Sequence, residues 1–212
     1  MRNVIFIGER GSGKSSIINL VAGHDYAAVS PDTTPCTNNF ATYEVSVWER
    51  TYRLWDTPGF NGTRGSQSFW WPTWTTRSLT RFLQERKSRK ELDLLVLCVR
   101  RGRALQSMSR MYRTFCSATR RIAIPVVIAV THLERTRPTM EAWWQDNGRR
   151  LTNLGMVFDG YACLTCLSPH HRRRASQEVI RNLISREYPQ RTWSTLGEQK
   201  YLDDSDSACT IC

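Results

Sequence analysis

The sequence predicts an α/β fold of three layers: a mostly parallel sheet of about six strands, one of them an antiparallel edge strand, with helices on both faces. Three observations predict it. Short apolar runs rich in Val, Ile and Leu recur at Val4–Ile7, Tyr52–Trp55, Leu92–Val99, Pro125–Val130 and Tyr161–Leu167. Runs this short suit strands buried on both faces. Stretches of helical spacing alternate with them, which is the order of a parallel sheet wrapped by helices. One further segment, Phe40–Trp48, alternates polar with apolar residues, as a half-exposed edge strand does.

Taken in order, Val4–Ile7 is the first strand and Ser15–Val21 the first helix. Phe40–Trp48 pairs with Arg53–Asp56 through the polar link Glu49-Arg50-Thr51. Thr75–Arg86 carries Leu79, Phe82 and Leu83 on one helical face. Ala104–Arg121 does the same with Leu105, Met108, Met111, Tyr112 and Phe115. Met140–Leu154 and Ala175–Tyr188 are the remaining helices. From about Pro189 the periodicity stops, and the chain runs into Asp203-Asp204-Ser205-Asp206-Ser207. The expected organisation is one domain over residues 1–188 and a flexible tail over 189–212.

A chain of 212 residues, 40% hydrophobic and 23% charged, is long enough for one core of ordinary composition. No apolar run approaches the ~20 residues of a membrane helix. The run before Gly8 is too short for a signal peptide, so a cytoplasmic location is expected. Seven cysteines fit a compartment where thiols stay reduced. Cys163 and Cys166 lie in the expected strand Tyr161–Leu167, where that spacing puts them on opposite faces, so no metal site is expected there. The net charge is +11, with basic clusters at Arg100, Arg101 and Arg103 and at Arg172, Arg173 and Arg174. Neither cluster has interleaved aromatics, so nucleic acid is not the expected partner. Solvated surface, an anionic membrane or a protein partner suits them better.

The strongest local signal is Gly8-Glu9-Arg10-Gly11-Ser12-Gly13-Lys14-Ser15, a full match to the phosphate-loop pattern G-x-x-x-x-G-K-[ST]. It follows an expected strand and opens an expected helix, whose first turn also holds Ser16. Glycines let backbone N–H groups turn toward phosphate oxygens, and the helix N-terminus adds favourable dipole charge. Lys14 supplies a cation to the β- and γ-phosphates, and the Ser15 hydroxyl ligates Mg2+. The fold is therefore expected to be that of the phosphate-loop nucleoside triphosphatases. At the end of the next buried strand stands Trp55-Asp56-Thr57-Pro58-Gly59. There Asp56 is placed to hold Mg2+ through water, and the Gly59 N–H to meet the γ-phosphate.

With these motifs the chain resembles the translation-factor-related GTPases, with its closest likeness to septin-like and immunity-associated (GIMAP, Toc) G domains, from about Arg2 to Tyr188. The resemblance implies GTP and GDP as ligands, Mg2+ as cofactor and a nucleotide-dependent switch. It implies a first switch in Ser30-Pro31-Asp32-Thr33-Thr34-Pro35-Cys36-Thr37, with Thr37 or Thr34 closing on the metal. It places base recognition at Thr131-His132-Leu133-Glu134. There the family has Asn/Thr-Lys-x-Asp, so His132 replaces Lys and Glu134 replaces Asp. A carboxylate at Glu134 still accepts from the guanine N1–H and N2–H edge. Phe60 stands where many GTPases place a water-orienting Gln. Hydrolysis is expected to be slow, or to rely on dimerisation, a partner or another residue. A nucleotide-binding assembly module with little turnover is the alternative, and a phosphate-loop ATPase or kinase the third reading.

Two further segments carry expectations. Phe69-Trp70-Trp71-Pro72-Thr73-Trp74 follows the second switch and reads as local packing or as a patch for a protein partner or self-association. The end, Ala208-Cys209-Thr210-Ile211-Cys212, fits C-a-a-X loosely, with Cys209 as a prenyl acceptor and peripheral membrane contact as its consequence.

Overall fold

The computed structural model describes residues 1–27, 40–59, 76–102, 105–119, 122 and 124–188. Thr34, Thr37, Phe60, Trp70, Trp71, Trp74 and Cys209 lie outside them, as does the expected tail 189–212.

The elements run β1 (Arg2–Gly8), α1 (Lys14–Ala22), β2 (Ala41–Val47), β3 (Arg50–Asp56), α2 (Thr76–Ser88), β4 (Leu94–Arg100), α3 (Leu105–Thr119), β5 (Val126–Thr131), α4 (Ala142–Asn153), β6 (Gly160–Cys163) and α5 (Arg173–Ser185). They form one six-stranded sheet of order β2-β3-β1-β4-β5-β6. All neighbours are parallel except β2 and β3, so β2 is the antiparallel edge strand that its alternation predicts.

The continuous apolar runs follow from burial on both sides. Along β1, Val4 and Phe6 face one way, against Ile17, Ile18 and Val21 of α1 and Ile180 and Ile184 of α5. Ile5 and Ile7 face the other way, against Leu79 and Leu83 of α2 and Met108, Tyr112 and Phe115 of α3. Two cores thus flank one sheet, the three-layer arrangement. In β2 only Val45 and Val47 are buried, and Thr42, Glu44 and Ser46 face water.

Several boundaries differ from expectation, and three of them show a physical cause. The β2–β3 turn is Trp48-Glu49, because Val47 already pairs with Arg50. Polar side chains on an edge pair point into water and do not stop the backbone ladder, so Arg50 and Thr51 belong to the strand. Strand β6 ends at Cys163, not Leu167. Leu164 still bonds the Val130 carbonyl, but the Thr165 N–H is taken by the Ser176 hydroxyl at 3.0 Å, so the ladder stops. Cys166 therefore lies in a loop and not across a strand from Cys163. Burial pushes both thiols up to about 12. Helix α5 begins at Arg173 instead of Ala175, since the Ser176 N–H already bonds the Arg172 carbonyl.

Candidate nucleotide site

Because β1, β3, β4 and β5 run parallel, their C-terminal ends share one edge of the sheet. Chain order reverses about β1, and such switch points are where open α/β sheets bind ligands. Gly8, Asp56, Arg100 and Thr131 end those strands.

The loop from Gly8 to Gly13 joins β1 to α1 through a turn in which the Ser12 N–H bonds the Glu9 carbonyl at 3.2 Å. Gly13 precedes α1 with a φ of 87°, a left-handed conformation that favours glycine, and a Cβ there would stand 3.1 Å from the Thr131 methyl. No side chain caps α1 and its first turn holds no acidic residue. The leading N–H groups, with the positive end of the helix dipole, are left for an anion. Ser15 and Ser16 lie in that turn.

Lys14 is only 7% exposed. Its ammonium reaches back over the loop to the carbonyls of Gly8 at 3.3 Å and Glu9 at 3.2 Å. Burial lowers its affinity for the proton, and Asp56 partly restores it. A buried cation held by two carbonyls is poised for a polyanion.

Asp56 is 1% exposed. Its Oδ2 accepts from the Ser15 hydroxyl at 2.5 Å, joining two residues 41 positions apart. Next to it the Thr57 hydroxyl donates to the Phe6 carbonyl at 2.7 Å, clamping the end of β3 to β1. Gly59 brings this segment onto the phosphate loop: a Cβ there would lie 2.7 Å from the Arg10 backbone nitrogen and Cα. Only a residue without a side chain permits that approach. The structure thus brings Lys14, Ser15, Asp56 and Gly59 to one place, as the motif spacing predicts.

The segment expected to meet the base, Thr131–Glu134, is tied to the neighbouring loops. The Thr131 hydroxyl donates to the Ser12 carbonyl at 3.0 Å, so it braces the phosphate loop. His132 takes a φ of 62°, with its Nδ1 2.9 Å from the Thr131 oxygen. Glu134 accepts from the Thr165 hydroxyl at 3.3 Å, which links the loops after β5 and β6. Thr165 and Thr57 are the residues that sequence reasoning missed. Thr57 stood inside the quoted Asp-Thr-Pro-Gly motif, whereas no spacing pattern marks Thr165.

Part of the basic surface is internal bracing. Arg172 donates to the carbonyls of Thr136 at 2.8 Å and Pro138 at 3.2 Å, holding the loop after β5 against α5. Arg181 donates to the Val21 carbonyl at 2.7 Å and 2.9 Å and so satisfies the C-terminal end of α1.

Comparisons with known proteins agree with this geometry. Residues 3–132 match the family described as 50S ribosome-binding GTPase. No curated protein matches the chain by sequence. Among solved structures, Toc33 from Arabidopsis thaliana, in complex with GDP and Mg2+, is similar with a TM-score of 0.58 and 16% identity, over 86% of this chain and 81% of that one. A GTP-binding protein from Sulfolobus solfataricus in complex with GDP has a TM-score of 0.56 and 16% identity, over 87% of this chain and 52% of that one. Era from Aquifex aeolicus, bound to GDP and aluminium fluoride, has a TM-score of 0.58 and 15% identity, over 90% of this chain and 58% of that one. The chain spans little more than half the length of the Sulfolobus and Aquifex proteins.

Proposed function

The chain belongs to the 50S ribosome-binding GTPase family, and from that premise we propose that it works as a guanine-nucleotide switch with slow intrinsic hydrolysis. The observation that carries the proposal is the Ser15–Asp56 pair at 2.5 Å beside the buried Lys14 ammonium. A hydroxyl and one carboxylate, both hard oxygen donors, suit Mg2+, which is bound by one or two carboxylates together with phosphate oxygens. Ser15 and Asp56 would hold it, with Thr37 or Thr34 as a further donor. When bound, Mg2+ supplies charge neutralisation for the β- and γ-phosphates.

The chain's own groups do the rest. Backbone N–H groups of Gly11, Gly13 and Lys14 cradle the phosphates, those of Ser15 and Ser16 continue the cradle along α1, and Ser12 shapes the loop through its turn bond to Glu9. Glu9 and Arg10 complete the loop. Gly59 offers its N–H to the γ-phosphate. Thr131 keeps the loop in shape, and His132 and Glu134 face the base. Within the family we favour the septin-like, GIMAP and Toc-type branch, on the strength of the opening Gly-x-x-Gly-x-Gly-Lys-Ser-Ser and the Toc33 likeness. Toc33 is also known as a dimerization-deficient mutant, which motivates self-association through the switch regions here. Era occurs with a 16S ribosomal RNA fragment, yet nucleic acid is not our proposed partner, because the basic clusters lack aromatic platforms. We assign the G domain to residues 1–188 and a tail to 189–212. We place the protein in the cytoplasm, with peripheral membrane contact through Cys209.

Phe60 has no group to orient water, so isolated turnover is expected near ~10⁻² to 10⁻⁴ s⁻¹, the range of unassisted GTPases. Phosphate release from GTP, followed over a range of protein concentrations, tests this. Slow release that rises with concentration supports a switch completed by self-association. GTP binding with no release at any concentration favours the assembly-module reading, and Phe60 is the observation behind that alternative.

A further inference from the structure

Among the phosphate-loop residues, Arg10 carries a cationic side chain with no task assigned so far. It is exposed, and among the described residues none forms a hydrogen bond or ion pair with its side chain. Its position is nevertheless tightly set. An ideal Cβ on Gly59 would lie 2.7 Å from the Arg10 nitrogen and Cα and 3.1 Å from the Arg10 Cβ. The Arg10 side chain therefore starts at the backbone of Gly59, where the loop and the Asp56–Gly59 segment meet. The cationic neighbour Lys14 turns inward beneath the loop, toward the Gly8 and Glu9 carbonyls. Arg10 is exposed instead.

We propose that Arg10 is a catalytic residue for GTP hydrolysis, supplying from within the chain the guanidinium that stabilises the transition state at the γ-phosphate. The inference rests on the GTPase reading above. In the step concerned, a water oxygen bonds to the γ-phosphorus while the bond from that phosphorus to the β–γ bridging oxygen breaks. The bridging oxygen leaves with the electron pair as GDP, and the water's proton ends on the released phosphate. Arg10 donates hydrogen bonds to the γ-phosphate and bridging oxygens and neither gains nor loses a proton. Its planar fork suits phosphoryl oxygens in a way that a point charge does not. An arginine supplied within the same chain takes GTPases to ~10⁻² s⁻¹, against ~10⁻⁴ s⁻¹ without one. The role fits a chain with Phe60 in place of a water-orienting Gln, because charge stabilisation and water orientation are separate contributions.

Single-turnover phosphate release from GTP-loaded wild type, Arg10→Ala and Arg10→Lys tests the proposal, together with GDP affinity and formation of the GDP–aluminium fluoride complex. Arg10→Ala is expected to slow release about 10- to 100-fold. It should leave GDP affinity unchanged and lose the aluminium fluoride complex, and Arg10→Lys should fall between. Because Arg10 is exposed, its truncation removes no core contact, and unchanged GDP affinity shows an intact site. Release as fast as or faster than wild type, with the aluminium fluoride complex intact, overturns the role of Arg10 and leaves the GTPase reading standing. Wild type that binds GTP yet releases no phosphate contradicts both.

Discussion

Lys14 carries its charge into a place that disfavours it. Burial lowers its proton affinity, and the nearby Asp56 carboxylate only partly compensates. Desolvating an ammonium costs several kcal/mol unless it is paired. Two carbonyls at 3.2 and 3.3 Å are modest compensation, whereas a polyphosphate is ample. Glu134 poses the complementary question of base choice. Its side chain is one methylene longer than the family's Asp, and the Thr165 hydroxyl at 3.3 Å holds it toward the β6 loop. If Glu134 recognises the base as proposed, its carboxylate meets two donors on guanine and no matching pair on adenine. GTP should therefore displace a fluorescent GTP analogue far better than ATP does. Glu134→Ala should weaken GTP about 10- to 100-fold, the loss of a charged hydrogen bond of about 1.5–3 kcal/mol. Equal competition by GTP and ATP, unchanged in Glu134→Ala, would contradict the assignment.

Elements differ in how far the sequence revealed them. The phosphate loop was legible because its chemistry is written in consecutive residues, Gly8 to Ser15. Strands β1, β4 and β5 were legible because burial on both faces demands unbroken apolar runs. The end of β6 was not, because the apolar run continues to Leu167 while Ser176, from another element, intercepts Thr165. The Glu134–Thr165 pair was hidden for the same reason, since it joins residues 31 apart. The segment leaving α1 gives another case. Asn19 is 3% exposed. Its Oδ1 accepts from the N–H groups of Tyr26 at 3.0 Å and Ala27 at 2.6 Å, and its Nδ2 donates to the Ala27 carbonyl at 2.9 Å. One helical side chain thus anchors the chain as it heads for the expected first switch. Asn19→Ala leaves these buried groups without partners, at a cost of about 1–3 kcal/mol. A melting temperature lower by about 2–4 °C per kcal/mol is expected in thermal denaturation. An unchanged melt would show that the segment is held by other contacts.

At the scale of the whole molecule, the net charge of +11 divides into parts with different work. Arg172 and Arg181 brace backbone carbonyls, while Arg174 stands exposed with Glu178 at 3.7 Å. Less of the Arg172–Arg174 cluster therefore remains to draw the protein to an anionic surface than the sequence suggests. A single prenyl chain binds membranes weakly and reversibly. Cells expressing wild type should then show a partial membrane fraction that Cys209→Ser loses, and identical distributions with an unmodified C-terminus would remove the anchor. The two cores, the sheet order and the parallel strand ends all serve to gather Lys14, Ser15, Asp56 and Gly59 at one edge. The most direct test of that account is titration of wild type and Lys14→Ala with a fluorescent GTP analogue, each checked for folding by its thermal melt. Saturable binding by wild type and none by a folded Lys14→Ala is expected. Undiminished affinity in a folded Lys14→Ala variant would contradict it.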